Sequence, residues 1–266
     1  MKKLLALDLD GTLLNSDNVV SDENIKWLKK AMDYAYILLV STRTYKSIKL
    51  IADSIGLKDC YIVGMAGCDI RKYPEGKTIY SSCIDKSDVK AMLDFAQKYN
   101  FYIQLFDING EYYFKEKTEY SDLYSDFQGY SGKKLNTDEE YLLNVGKIMF
   151  ITENERVLEL NTLLKENTNE NLRSEKVWDF IIEVYSSSIN KGEAVKQIAK
   201  ELKIEKENII SMGDEEVDIS MFNVSGKGIA VKNASDEVKK CADLVTVSND
   251  ENAVAVVIKD YIIENI

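Results

Sequence analysis

Two aspartates stand two positions apart, Asp8 and Asp10, where a strongly apolar stretch ends in Asp8-Leu9-Asp10-Gly11-Thr12. On a β-strand, side chains two positions apart project to the same side. Neighbouring carboxylates repel each other unless a cation lies between them, and Mg²⁺ prefers oxygen ligands of this kind. The segment therefore indicates carboxylate chemistry with a hard cation, although Asp-Gly is also typical of a solvated turn.

A second acidic segment, residues 213–218, also follows a predicted strand. Asp214 stands at the strand end and Asp218 follows one helical turn later. Ligands of open parallel sheets bind beyond the carboxyl ends of the strands, so both acidic segments are expected at that edge. The alternative is a helix start whose acidic side chains only complement the helix dipole.

Two further segments carry groups that can hold a phosphate. Ser41, Thr42 and Arg43 follow the second predicted strand, and a hydroxyl beside backbone amides at a helix N-terminus favours an anion. Lys191, in Asn190-Lys191-Gly192 at the start of a helix, can bring an ammonium to the same anion. Taken singly, Ser41 is more typical of an ordinary N-cap, and Lys191 is more typical of a surface lysine.

The composition excludes several classes of enzyme. The chain has 266 residues and no histidine, which excludes Ser-His-Asp and Cys-His hydrolases and HExxH zinc sites. Acid–base chemistry must then use carboxylates, Lys, Tyr or Cys. The formal net charge of −11 disfavours nucleic acid as a partner, because binding it requires neutralisation of phosphates.

The cysteines and the hydropathy indicate the compartment. Four cysteines without CxxC spacing are too sparse for a disulfide-stapled secreted fold. No stretch approaches the roughly 20 apolar residues of a membrane span. We therefore expect a cytoplasmic protein without a membrane partner; the sequence does not indicate its oligomeric state.

Short apolar strands alternate with amphipathic helices in the first and last thirds of the chain. This pattern predicts an α/β fold, a Rossmann-like parallel sheet with helices on both faces. The predicted strands are residues 4–9, 36–41, 60–63, 208–212, 228–231 and 244–247, and the clearest helices are residues 22–32, 45–55 and 235–242.

The middle of the chain has a different pattern. Strands at residues 101–108 and 111–117 flank Asn109-Gly110, a strong hairpin signal. The other elements predicted here are helix 88–99, strand 147–152, helix 154–166 and a strand run at residues 176–185. Hairpins mixed with helices predict an inserted α+β domain at residues 84–186, with residues 1–83 and 187–266 forming the core.

Taken together, these segments resemble the haloacid dehalogenase superfamily, and in particular its Cof-type sugar-phosphatase branch. DLDGTL near the start, then Ser41, then Lys191 before a glycine, and GDEEVDISMF occur in the family's order. Residues 226–257 also resemble that branch. The insertion falls where the branch carries its C2-type cap.

The resemblance implies an Mg²⁺-dependent phosphatase that hydrolyses a small phosphorylated metabolite, with a sugar phosphate as the expected substrate. Asp8 would be the nucleophile that forms an aspartyl phosphate. Asp10 would protonate the leaving oxygen and then activate water. By the same resemblance, the phosphate contacts are Ser41, Thr42, Arg43, Lys191 and Asn233. The metal residues are Asp8, the backbone carbonyl of Asp10, and Asp214, with Asp218 orienting the water ligands of the metal or Lys191. Arg43 has the alternative of an ion pair with a neighbouring acid.

Four positions depart from the family pattern: Val217, Thr42, Ala66 and Ala253. They concern metal affinity and pocket shape more than the class of reaction. Two other functions stay open at this point. One is a phosphomutase or phosphotransferase that uses the same aspartyl phosphate, and the other is a non-catalytic binding or regulatory protein.

Overall fold

The computed structural model describes residues 2–136 and 143–263. The chain divides into two compact units. The first comprises Met1–Arg43, Ile48–Ile79 and Asn190–Ile266, and the second comprises Thr44–Ser47 and Tyr80–Ile189.

The regular elements are numbered in chain order. The strands of the described residues are β1 Lys3–Asp8, β2 Ala35–Val40, β3 Cys60–Gly64, β4 Asp69–Tyr73, β5 Lys77–Ser81, β6 Tyr102–Asp107, β7 Tyr112–Phe114, β8 Lys133–Lys134, β9 Val145–Ile151, β10 Leu172–Trp178, β11 Ile181–Ser186, β12 Ile209–Gly213, β13 Lys227–Ala230 and β14 Leu244–Val245. The α-helices of the same residues are α1 Asp22–Ala31, α2 Tyr45–Ser54, α3 Lys86–Tyr99, α4 Glu119–Gln128, α5 Val157–Asn167, α6 Lys191–Leu202, α7 Ile219–Val224, α8 Asp236–Cys241 and α9 Ala253–Val257. None of these helices is long and apolar enough to cross a bilayer.

The first sheet has the strand order β14-β13-β12-β1-β2-β3-β4-β5. From β14 to β3 every neighbouring pair is parallel. The chain proceeds from β1 towards β3 and, later, from β12 towards β14 in the opposite direction. Right-handed crossovers therefore place α1 and α7 on opposite faces of the sheet. The predicted α/β class with a parallel core is confirmed.

One edge of this sheet extends the predicted parallel core with strands that were not predicted. β4 pairs antiparallel with β3, and β5 lies beyond β4. The tight connection through Met65–Gly67 reverses the chain directly after β3, so no crossover helix is needed. β4 and β5 were not among the predicted strands, because their side chains do not alternate clearly between apolar and polar.

The second sheet has the order β10-β11-β9-β6-β7-β8. Its pairs are antiparallel except β7–β8. One face contributes Leu105, Phe150 and Val184 to an apolar core that also includes Met92 of α3 and Leu160 of α5. The Asn109-Gly110 hairpin joins β6 to β7 as predicted, with Gly110 at a φ of 83°.

One prediction for this region is wrong in detail, and one helix was not predicted. The run at residues 176–185 is two strands, β10 and β11, which pair antiparallel across Asp179 and Phe180. The apolar residues on both sides of that turn conceal it in the sequence. Helix α4 was not predicted, because its Ser, Asp and Tyr residues have modest helix propensity. At its start, Ser121 Oγ accepts a 3.0 Å hydrogen bond from the backbone N–H of Thr118.

Candidate active site

The site lies where β12, β1 and β2 end side by side. β1 ends at Asp8, whose Cα neighbour on β2 is Val40, and Leu7 pairs with Met212 on β12. The boundary between β1 and β12 is also where the order of the strands reverses. Open α/β sheets bind ligands outside the carboxyl ends at such a switch point. The sheet therefore brings Asp8, Ser41 and Asp214 to one edge.

Lys191 joins two of the carboxylates. Its Nζ donates hydrogen bonds of 2.7 Å to Asp8 Oδ1 and 2.6 Å to Asp218 Oδ1. The side chains of all three residues are buried, with 6% or less of each exposed. Asp218 Oδ2 accepts hydrogen bonds from the backbone N–H groups of Asp214 and Glu215. The other oxygen of Asp8, Oδ2, is buried and has no hydrogen-bond partner among the described residues.

The start of α6 places Lys191. Asn190 caps the helix by accepting a 2.8 Å hydrogen bond from the backbone N–H of Glu193. A Cβ at Gly192 would lie 2.1 Å from the carbonyl oxygen of Ser220, so only glycine permits this close approach of α6 to α7. The first turn of α6 is thereby held against the acidic segment that contains Asp218.

Asp214 is positioned by the turn after β1. Thr12 Oγ1 donates a 2.9 Å hydrogen bond to Asp214 Oδ1. Gly11 has a φ of +79°, and a Cβ there would lie 2.2 Å from Asp214 Oδ2. Thr12 was not among the predicted site residues. The sequence feature that could have indicated Thr12 is its hydroxyl, which comes two positions after Asp10 and directly after a glycine.

Burial and mutual repulsion perturb the acidic groups. Burial, followed by the charge of Asp218, raises the pKa of Asp8 well above its usual value. The same two causes raise the pKa of Asp214 to about 7. Burial alone would lower the pKa of Lys191, but the adjacent Asp218 and Asp8 outweigh it and raise that pKa. Three carboxylates thus share one ammonium at this site, and burial with their mutual repulsion disfavours the ionised forms of Asp8 and Asp214.

These residues fit a divalent cation. Asp8, Asp214 and Asp218 each offer an oxygen, and the three oxygens lie within 4.8 Å of one another. Carboxylate oxygens are the ligands that Mg²⁺ uses in proteins. The unpartnered Oδ2 of Asp8 is available as a ligand, and a cation bound by these oxygens would offset the repulsion that helps to raise the pKa of Asp214.

The Asp10 carboxylate is not one of these three clustered oxygens, although its charge contributes to the raised pKa of Asp8. β1 ends before Asp10, so the expectation that Asp8 and Asp10 project to one side of a common strand is wrong. Asp10 instead occupies a kinked turn with φ −74° and ψ 118°. Its carboxylate pairs with Arg43, at 2.6 Å from Asp10 Oδ1 to Nη2 and 2.9 Å from Oδ2 to Nε. The structure thus shows the ion pair that was the alternative for Arg43.

The remaining predicted residues surround this edge. Ser41 is buried directly after β2, and its Oγ accepts a hydrogen bond from the N–H of Arg43; Thr42, between them, is partly buried. Asn233 Nδ2 donates a 2.8 Å hydrogen bond to the carbonyl of Gly11, and its Oδ1 accepts one from the N–H of Asn249. Asn233 therefore links the turn after β1 to a loop near the end of the chain.

The positions that depart from the family pattern lie close to these loops. Ala66 is buried with a φ of 54° in the connection after β3. Ala253 is buried at the start of α9. The carbonyl of Val217 accepts a hydrogen bond from Ser220 Oγ. None of these contacts involves the carboxylates of Asp8 or Asp214.

The sequence profile of the haloacid dehalogenase-like hydrolases matches residues 5–258. The chain belongs to this family. The predicted membership of the haloacid dehalogenase superfamily and the predicted hydrolase activity are therefore confirmed. The phosphatase YwpJ of Bacillus subtilis is 29% identical to this hydrolase over 285 residues, which cover 97% of this chain and 99% of that protein.

Two further relatives of this haloacid dehalogenase-like hydrolase come from the same organism. The 5-amino-6-(5-phospho-D-ribitylamino)uracil phosphatase YcsE is 29% identical over 263 residues, covering 98% of this chain and 96% of that protein. A solved haloacid dehalogenase-like hydrolase from B. subtilis superposes with a TM-score of 0.86 at 28% identity, covering 97% of this chain and 99% of that chain. The whole described fold, and not the core sheet alone, is therefore shared with this family.

Proposed function

We propose that this protein is an Mg²⁺-dependent phosphatase that hydrolyses a small phosphorylated metabolite through an aspartyl phosphate on Asp8. The observation that carries the proposal is the buried Asp8 carboxylate, which bonds Lys191 through one oxygen and keeps the other without a partner among the described residues. A carboxylate nucleophile divides one difficult displacement into two easier ones.

In the first step, Asp8 Oδ2 attacks phosphorus, and the bond from phosphorus to the leaving oxygen breaks. Asp10 donates a proton to that oxygen, so an alcohol leaves and Asp8 carries the phosphoryl group. Lys191 faces the same carboxylate and neutralises charge on the phosphoryl oxygens. Ser41 holds those oxygens with its hydroxyl.

In the second step, a water molecule attacks phosphorus and Asp10 removes its proton. The bond between Asp8 and phosphorus breaks, which releases inorganic phosphate and restores the carboxylate. Asp8, Asp214 and Asp218, with the backbone carbonyl of Asp10, would hold Mg²⁺, which supplies positive charge that offsets the repulsion between the phosphate and the carboxylates. Asp10 provides the acid–base function in a chain that lacks histidine.

We expect the substrate to be a sugar phosphate or a related polyol phosphate, and residues 84–186 to be the cap that selects it. The name of YcsE describes a phosphorylated ribityl compound, which is of that chemical class. We also expect the protein to act in the cytoplasm without a nucleic-acid or membrane partner.

A phosphate-release screen with Mg²⁺ tests the proposal, using sugar phosphates, nucleotides and pyridoxal phosphate. Asp8→Asn should lose roughly 10⁴-fold or more of the activity. Asp17→Asn is the matched control, because Asp17 is exposed in a nearby loop. Full activity in Asp8→Asn would contradict the proposal. Conversion of one sugar phosphate into another without phosphate release would also contradict it and would indicate a phosphomutase.

A further inference from the structure

Arg43 holds the Asp10 carboxylate in a two-point clamp. Its Nε and Nη2 donate to Asp10 Oδ2 and Oδ1 at 2.9 Å and 2.6 Å. Two parallel N–H···O bonds between a guanidinium and a carboxylate fix orientation as well as distance. The Arg43 side chain is 8% exposed, whereas that of Asp10 is 37% exposed. A buried arginine thus holds an accessible carboxylate.

The backbone of Arg43 is anchored from both sides. Its N–H donates to Ser41 Oγ at 3.1 Å, and its carbonyl accepts a 2.8 Å hydrogen bond from the N–H of Met65. Ala66 N–H donates in turn to the carbonyl of Ser41 at 3.0 Å. Met65 and Ala66 both have left-handed φ values, 49° and 54°. Non-glycine residues keep such a conformation only where their surroundings enforce it, so the support under Arg43 is stiff.

The backbone at Asp10 lies in a kinked turn that departs from regular helical geometry. β1 ends two residues earlier, and Gly11 follows with a φ of 79°. Among the described residues, the hydrogen bonds to its carboxylate come from Arg43. The direction in which this carboxylate points is therefore set by a residue 33 positions later in the chain.

We infer that Arg43 is a positioning residue for proton transfer by Asp10, an inference that rests on the proposed phosphatase function. Arg43 directs the Asp10 carboxylate and does not itself bind the phosphoryl group. Each carboxylate oxygen has a second lone pair, so Asp10 can exchange a proton with the leaving oxygen or with water while the clamp holds its direction. Positioning of an acid–base group contributes much of its catalytic effect.

Leaving groups of different basicity test this role. A nitrophenolate leaves without help, whereas an alkoxide must be protonated as it leaves. In Arg43→Gln, kcat/KM for an alkyl phosphate such as glycerol phosphate should fall by about 10²-fold, the lower range for general acid catalysis. For nitrophenyl phosphate, kcat/KM should fall much less. Arg43→Lys keeps the positive charge but cannot form the two parallel hydrogen bonds to Asp10. It should therefore show the same difference between the two substrates, with a smaller fall in kcat/KM.

A double-variant cycle completes the test. In an Asp10→Asn background, Arg43→Gln should have little further effect on kcat/KM for the alkyl phosphate, because the group it positions is gone. Three results would overturn the inference. The first is an equal fall in kcat/KM for both substrates in Arg43→Gln, and the second is an equally large fall when Arg43→Gln is added to Asp10→Asn. The third is wild-type kcat/KM in Arg43→Lys. Nitrophenyl phosphate hydrolysis that is present in the wild type and lost in Asp8→Asn tests the proposed function separately. If the wild type hydrolyses neither nitrophenyl phosphate nor any phosphate ester of the screen, the proposed function and this inference both fail.

Discussion

The ammonium of Lys191 lies 2.7 Å from Asp8 Oδ1, although the two residues are 183 positions apart in the chain. The same ammonium donates to Asp218 at 2.6 Å. One buried cation therefore connects the end of the first strand to the acidic segment after β12. This connection places a positive charge beside the carboxylate that we propose as the nucleophile.

Lys191→Met should lower kcat/KM for a phosphate monoester by about 10²- to 10³-fold, because it removes a preorganised group that stabilises charge in the transition state. Lys196→Met is the control on the same helix, since Lys196 is 63% exposed and pairs only at the surface with Glu193. Steady-state kinetics on both variants, with thermal melts to confirm folding, give the comparison. Near-wild-type activity in Lys191→Met would remove Lys191 from the mechanism.

Asp8→Asn should increase stability while abolishing activity. Because burial and then Asp218 raise the pKa of Asp8, ionised Asp8 costs free energy in the folded state. This cost is absent below the pKa of the unfolded chain, near 3.8, and it grows as the pH rises towards the raised pKa. In EDTA at pH 7 the variant should gain about 0.5–2 kcal/mol, the usual size of such stabilising changes.

Denaturant melts at pH 7 and near pH 4 test this expectation. The stability gap between Asp8→Asn and the wild type should narrow at the lower pH, where Asp8 is protonated in the folded protein and close to half-protonated in the unfolded chain. Added Mg²⁺ should narrow it as well, because an ion that binds only the folded wild type stabilises that form. If Asp8→Asn is less stable than the wild type at pH 7 in EDTA, ionised Asp8 does not destabilise the folded state.

The buried ion pair between Lys147 and Glu183 in the second unit should control that unit's stability. The two atoms lie 2.6 Å apart, and the side chains are 0% and 2% exposed. Glu183→Gln leaves a buried ammonium without its counter-charge, which should cost about 3–5 kcal/mol. Lys147→Met combined with Glu183→Gln should be less destabilised than the single variant in urea melts. A double variant at least as unstable as Glu183→Gln would contradict this account.

Glu23 gives a pH-dependent contribution of the opposite sign to that of Asp8. A hydrogen bond from Trp27, then those from Lys259 and Lys26, lower its pKa from 4.5 to about 2. The stabilisation is therefore present above the unfolded-state pKa and is lost as the pH falls towards about 2. Glu23→Gln should lower the Tm at pH 7, and the difference should narrow by pH 3. Glu207→Gln, at an exposed position, is the control. A Tm difference between Glu23→Gln and the wild type that does not change with pH would contradict the link between the lowered pKa of Glu23 and stability.

The sequence predicts the core of the fold well because its signals are local. Apolar strands that end at Asp8 and directly before Asp214 define both the sheet and the edge where a site must lie. The N-cap at Ser21 starts α1 as expected, with its side chain accepting from the N–H of Asn24. These features depend on hydrophobic period, capping and the rule for parallel sheets, which need no knowledge of distant contacts.

The features that the sequence does not predict depend on tertiary contacts. The clamp between Arg43 and Asp10 joins two loops, and no periodic pattern indicates which acid Arg43 meets. The turn at Asp179 and Phe180 lies inside an apolar run, so β10 and β11 look like one strand. The bond from Thr12 to Asp214 spans 202 positions and becomes visible only when β1 and β12 lie side by side.

Covalent phosphorylation of Asp8 is the central claim, and rapid acid quenching tests it most directly. The enzyme is mixed with the best substrate of the screen, labelled in its phosphoryl group, quenched in acid during turnover, and mapped by peptide mass. We predict the label on the peptide that contains Asp8, and none in Asp8→Asn. Turnover without label on that peptide, or label on any other residue, would contradict the account.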